Sequence, residues 1–209
     1  MHNSDISNLI ISKNIHLESI IEEDARPFLS AYKNYELELY NVDISVKYAK
    51  MSEDVLRSQY SKLFLLNKQS ERKYSILISN NTNPKKTIFK DLDFDEKKGG
   101  FGHELNHTLQ YSKKNNRELL GFSLAYILNR FIFSNIPLIG KYAKKYVIRI
   151  ERRTDEGTIR KGLGHELARW ANYFVNKSSI ENNTYSETYL SPDVINKLLN
   201  HGFVENKPF

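Results

Sequence analysis

The stretch Gly102-His103-Glu104-Leu105-Asn106-His107 carries the pattern H-E-x-x-H in a segment that reads as helix. Positions i and i+4 of an α-helix lie one above the other on one face, so His103 and His107 can offer two imidazole nitrogens to a single metal ion. Glu104 sits beside them, placed to take a proton from a zinc-bound water whose pKa the metal lowers towards about 7. A catalytic zinc also needs a third protein ligand and an open position for water. The rest of the chain is therefore read for a downstream acid or histidine.

Ile150-Glu151-Arg152-Arg153-Thr154-Asp155-Glu156 lies in a second segment with helical periodicity. Glu151 and Asp155 are again four apart, and Ile148 and Ile159 extend the same face towards a core. Acids on an otherwise apolar stripe are costly to bury unless paired or metal-bound, which favours Glu151 as a ligand. Asp155 can then accept the free ring N–H of a ligand histidine and fix its orientation. With the helix rotated, Asp155 would replace Glu151 as the third ligand.

His103-Glu104-x-x-His107 followed by Glu151-x-x-x-Asp155 resembles the gluzincin arrangement of zinc metallopeptidases. The run Glu151 to Glu156, with Ile159-x-x-Gly162-x-Gly164 and Tyr189-Leu190-Ser191-Pro192, is similar to small, largely uncharacterised bacterial metallopeptidases. These motifs span roughly residues 74 to 195. The resemblance implies one Zn2+ per chain held by His103, His107 and Glu151, with Glu104 as general base and Asp155 supporting a histidine. It also implies hydrolysis of a peptide or protein substrate. The chain departs from related patterns in three ways. It lacks the third histidine and glycine of metzincins. Asn106 stands where many metallopeptidases have a small or β-branched residue. No clear downstream histidine or tyrosine matches the one several gluzincins use to stabilise the oxyanion. The alternative is thus a zinc-binding, inactive zincin-like domain that binds a partner or a membrane surface.

With 209 residues, 40% of them hydrophobic, the chain suits a single zincin-like domain over 1–209, with 1–40 as a helical extension packed on it. The expected fold class is α+β, predominantly helical, with a small sheet in the N-terminal half and the H-E-x-x-H helix at the site. There is no cysteine, so any metal site must use nitrogen and oxygen ligands. The N-terminus lacks a basic region followed by an apolar one, which makes cytoplasmic residence the expectation. A net charge of +6 mixes 31 bases with 25 acids, the pattern of a mildly basic protein with no nucleic-acid partner. Nothing in the sequence bears on oligomeric state.

Alternation predicts strands over Val42–Met51 and Lys73–Ser79, and helix over 6–40 with a break near Pro27. Ser52–Leu66 reads as helix, opening on Ser52 as a cap, and Thr87–Leu92 as an edge segment. The glycines in Lys97 to Gly102 read as a flexible helix entry. Tyr74–Ser79 or Thr87–Leu92 is the expected edge for an added peptide strand. Residues 119–139 form the most apolar segment. Arg130, Asn129, Ser134, Asn135 and Pro137 argue against a membrane span there and favour a buried helix pair, with peripheral membrane contact through Lys141, Lys144 and Lys145 as the alternative. A long helix from Tyr142 should end near Gly162 or Gly164, and His165 opens the next, where Gly-His-Glu-Leu repeats without a second histidine. Ser178–Thr188 reads as a loop, and Ser191-Pro192 as the start of a last helix to about His201.

Overall fold

Lys73-Tyr-Ser-Ile-Leu-Ile-Ser79 forms strand β4 over the range its alternation predicts, with Tyr74, Ile76 and Ile78 buried. The computed structural model describes residues 14–51, 54–61, 64, 66–80, 89–131, 137–181 and 188–201, a mixed α+β arrangement that is mostly helical. Asp43–Ala49 (β2) lies parallel to β4, with Ile44 opposite Tyr74 and Val46 opposite Ile76. Ile15–Glu18 (β1) pairs parallel with β2, and Leu56–Tyr60 (β3) pairs antiparallel with the far side of β4. The sheet order is β1-β2-β4-β3.

Several expectations are corrected here. Of the expected helix Ser52–Leu66, residues 52, 53, 62, 63 and 65 lie outside the described residues, and the middle is strand β3. Leu56 and Ser58 are buried and Gln59 is exposed, so the segment fits a period of two. Pairing with β4 also satisfies backbone groups that a short helix would leave to water. Tyr74–Ser79 is interior, and the sheet edges among the described residues belong to β1 and β3. Of the expected edge segment Thr87–Leu92, residues 87 and 88 lie outside the described residues, and Phe89–Asp91 is a 3-10 turn. The N-terminal region is not wholly helical: after β1 come α1 (Glu22–Tyr32) and α2 (Glu36–Leu39), while residues 6–13 lie outside the described residues. Helix α1 runs through Pro27 without a break. The one N–H that proline lacks is offset by burial of Phe28, Leu29, Ala31 and Tyr32.

Helix α3 spans Phe94–Lys113 and opens on a capping box: Glu96 N–H donates to Asp93 Oδ1 (2.8 Å), and Asp93 N–H donates to Glu96 Oε2 (2.9 Å). The glycines at 99, 100 and 102 therefore lie inside the helix and are not a flexible entry. They let other elements approach closely. A Cβ on Gly99 would fall 2.2 Å from the Glu166 carbonyl oxygen, and one on Gly100 would fall 2.5 Å from the Trp170 ring. On another face α3 meets α1, where the rings of Phe28 and Phe101 pack edge to face at 5.5 Å.

The apolar region is divided between α4 (Asn116–Phe131) and α5 (Pro137–Thr158). Leu119 and Phe122 are buried, whereas Leu120 and Leu124 are exposed. No helix among the described residues is long and apolar enough to cross a membrane. Helix α5 passes into a π turn over Ile159–Leu163, where Gly162 takes φ 78, a conformation glycine adopts without strain. Helix α6 (Gly164–Glu181) continues past the expected start of the 178–188 loop, whose residues 182–187 lie outside the described residues. Pro192–His201 forms α7, with Val194 N–H donating to Ser191 Oγ at 3.4 Å.

Candidate metal centre

Helices α3 and α5 meet where each carries its polar i, i+4 pair, and cross-links fix that meeting. Asn106 Nδ2 donates across to the Thr154 carbonyl at 3.0 Å, which also accepts from Thr158 Oγ1 of α5 itself at 2.9 Å. A Cβ on Gly157 would fall 2.3 Å from Asn106 Nδ2, so glycine there makes room for the contact. Asn106, out of pattern in the sequence, is thus one bridge between the two helices. Tyr35 OH donates to the Gly102 carbonyl at 2.8 Å.

His103, His107 and Glu151 come together with donor atoms all within 4.8 Å of one another. Glu151 Oε2 lies 3.2 Å from His103 Nε2 and 3.0 Å from His107 Nε2. Asp155 does not join them. Its Oδ1 accepts from His103 Nδ1 at 2.8 Å, and its Oδ2 accepts from Leu190 N–H at 2.8 Å. Of the two acids of α5, it is Glu151 that stands with the histidines where the three could hold a metal ion, and Asp155 lies behind His103. His107 has its own polar neighbour, Thr154 Oγ1, 3.3 Å from Nδ1. Tyr111, one turn on, stacks on the His107 ring with centroids 5.6 Å apart and planes 17° apart. Tyr189 meets the His103 ring edge on at 5.6 Å.

All of this is buried: His103, His107 and Glu151 are each 5% exposed, Asp155 1% and Glu104 8%. Burial opposes charge on His103, but its bonds to Asp155 and then Glu151 override that and raise its pKa well above the usual value. Burial likewise pushes the Glu151 carboxyl up, and the two imidazoles, His107 foremost, outweigh it and hold the group below the usual carboxylate range. Glu104 goes the other way: burial raises its pKa, and the nearby imidazoles reduce the rise only in part.

The donor set fits a metal for a chemical reason. With Nδ1–H of His103 given to Asp155, a neutral His103 turns a bare lone pair on Nε2 towards an ionised carboxylate oxygen. Acceptors converging in a buried space need a cation between them, either a proton or a metal ion. Two imidazole nitrogens and one carboxylate, with no thiolate, form a set that suits zinc. Donors about 2.0–2.1 Å from a tetrahedral zinc stand roughly 3.3–3.5 Å apart. The spacings of 3.0 and 3.2 Å here need only slight widening.

Glu104 faces the sheet. Its Oε2 accepts from the backbone N–H of Ser58 at 2.5 Å, and Ser58 Oγ lies 3.2 Å from Thr108 Oγ1. Because β3 is an edge strand, this N–H lies on the side not paired with β4. Ser58 and Leu190 escaped the sequence reading because each acts through its backbone N–H, which no side-chain pattern announces. Thr154 stands three residues after Glu151 and one before Asp155, a spacing that could have marked it. His165 is exposed and is not brought to the cluster, and its neighbour Glu166 pairs with Lys98 Nζ at 2.6 Å. Comparison with family models, with curated proteins and with solved structures finds no match to this chain.

Proposed function

We propose that this protein is a zinc-dependent peptidase acting on a peptide or protein substrate. The observation that carries the reading is the buried convergence of His103 Nε2, His107 Nε2 and Glu151 Oε2, with Glu104 on the same helix. Zinc bound there would supply a Lewis acid that lowers the pKa of water and polarises a carbonyl. Glu104 takes the proton of the attacking water and passes it to the leaving amine, and its raised pKa suits a group that must both accept and return a proton. Asp155 keeps the His103 ring oriented through Nδ1–H. An extended substrate can pair along the outer edge of β3 once Glu104 leaves the Ser58 N–H.

A second reading, zinc binding without turnover, draws on the closed state of the site. Glu104 is tied to Ser58, and every member of the cluster is buried. A peptide library incubated with zinc-loaded wild type and Glu104→Gln, read by mass spectrometry, separates the two. The peptidase reading expects cleavage by wild type, with kcat lower by about 10²–10⁴-fold in the variant at equal zinc content. Full activity in Glu104→Gln removes Glu104 as the base, and no cleavage by zinc-loaded wild type moves the assignment to the second reading.

A further inference from the structure

We infer that Thr154 is a positioning residue for His107, and that its hydroxyl selects the tautomer in which Nδ1 carries the proton and Nε2 is free to bind metal. The inference rests on the metal reading of the His103, His107 and Glu151 cluster. A threonine hydroxyl has one proton and two lone pairs to place. Here the proton goes to the Ile150 carbonyl one turn back, at 3.0 Å. One lone pair accepts from Gln110 Nε2 at 2.9 Å. The remaining lone pair faces His107 Nδ1 at 3.3 Å and can only accept. With the hydroxyl proton on the Ile150 carbonyl, the ring nitrogen is the donor, which leaves Nε2 bare and turned towards Glu151.

The two histidines are thus oriented by different chemistry from adjacent residues of α5. Asp155 serves His103 with a carboxylate, and Thr154 serves His107 with a neutral hydroxyl already committed on its other sides. The Thr154 backbone is itself held by Asn106 and Thr158 at its carbonyl, so the hydroxyl has little freedom to turn away. Gln110 lies on α3, one turn beyond His107, so the relay closes between the two ligand-bearing helices.

The test combines ¹⁵N-imidazole NMR on zinc-loaded wild type with zinc affinities, by chelator competition, of wild type, Thr154→Val and Thr154→Ser. The expected result is a proton on His107 Nδ1 with Nε2 as the zinc-bound atom. Affinity should weaken by about 10–100-fold in Thr154→Val and be restored in Thr154→Ser, which keeps the oxygen. A proton on His107 Nε2, or a folded Thr154→Val that binds zinc as wild type does, overturns the role of Thr154 and leaves the metal site standing. Failure of folded wild type to take up zinc overturns both. The tautomer is read on wild type, so the test survives if Thr154→Val does not fold.

Discussion

Helix α3 buries two polar clusters less than two turns apart, and they solve the problem of buried charge in opposite ways. At Lys97, 2% exposed, donors and acceptors balance within the protein. Nζ reaches Asp24 Oδ1 at 2.8 Å and Glu23 Oε1 at 3.3 Å and lies over the Phe89 ring, while Asp24 Oδ2 accepts from Tyr48 OH at 2.6 Å. At His103 and His107 two ring nitrogens, whose protons a metal ion could replace, converge on Glu151 Oε2 at 3.2 and 3.0 Å. A cluster complete in itself fastens α1 to α3. The second cluster is one that could hold a metal ion.

The comparison breaks most sharply by removing one member from each. Glu151→Ala should abolish stoichiometric zinc binding, measured by elemental analysis. Lys97→Ala should leave zinc content unchanged and destabilise the fold by about 3–5 kcal/mol in denaturant titration, because Asp24 is left buried without its cation. Zinc loss in folded Lys97→Ala would show that the two clusters are not independent.

Packing between the clusters gives the next effect. Gly99→Ala places a methyl against the backbone of α6, and a loss of about 1–3 kcal/mol in the same titration is expected. An unchanged midpoint would mean that α6 does not lie this close to α3.

The pH response is smaller and its size differs with metal. In the metal-free protein the pKa of His103 is raised, so the stability it contributes is complete below about 6.5 and is lost as pH rises through the raised value. Zinc takes the place of that proton. Metal-free protein should therefore weaken towards alkaline pH more than zinc-loaded protein. Calorimetric titration at pH 7 in buffers of differing ionisation enthalpy should show release of about one proton per zinc. Equal pH profiles with and without zinc would argue against His103 as a ligand. The smallest effect belongs to His165→Ala: that side chain is exposed, and neither zinc affinity nor stability should change measurably.

Much of this was legible in the sequence because it depends on local spacing. H-E-x-x-H and Glu151-x-x-x-Asp155 place side chains by helical period alone, and β2 and β4 announce themselves by alternation. The misreadings fall where tertiary contact decides. Leu56–Tyr60 became a strand because β4 was there to pair with it, and Ile15–Glu18 did so beside β2. Glycines 99, 100 and 102 looked like punctuation, yet the neighbours that need their missing side chains come from residues about sixty positions later. The helix begins earlier, on the capping box of Asp93 and Glu96. The partners of Asp155 and His107, the Leu190 N–H and the Thr154 hydroxyl, could be found only once α5 and the turn before α7 were set against α3.

Zinc content of purified, folded wild-type protein, measured alongside His103→Ala, tests the central claim most directly. About one zinc per chain in wild type, lost in the variant, is the predicted result. Folded, zinc-supplemented wild type without zinc would contradict it, and would leave protons as the cations between these acceptors.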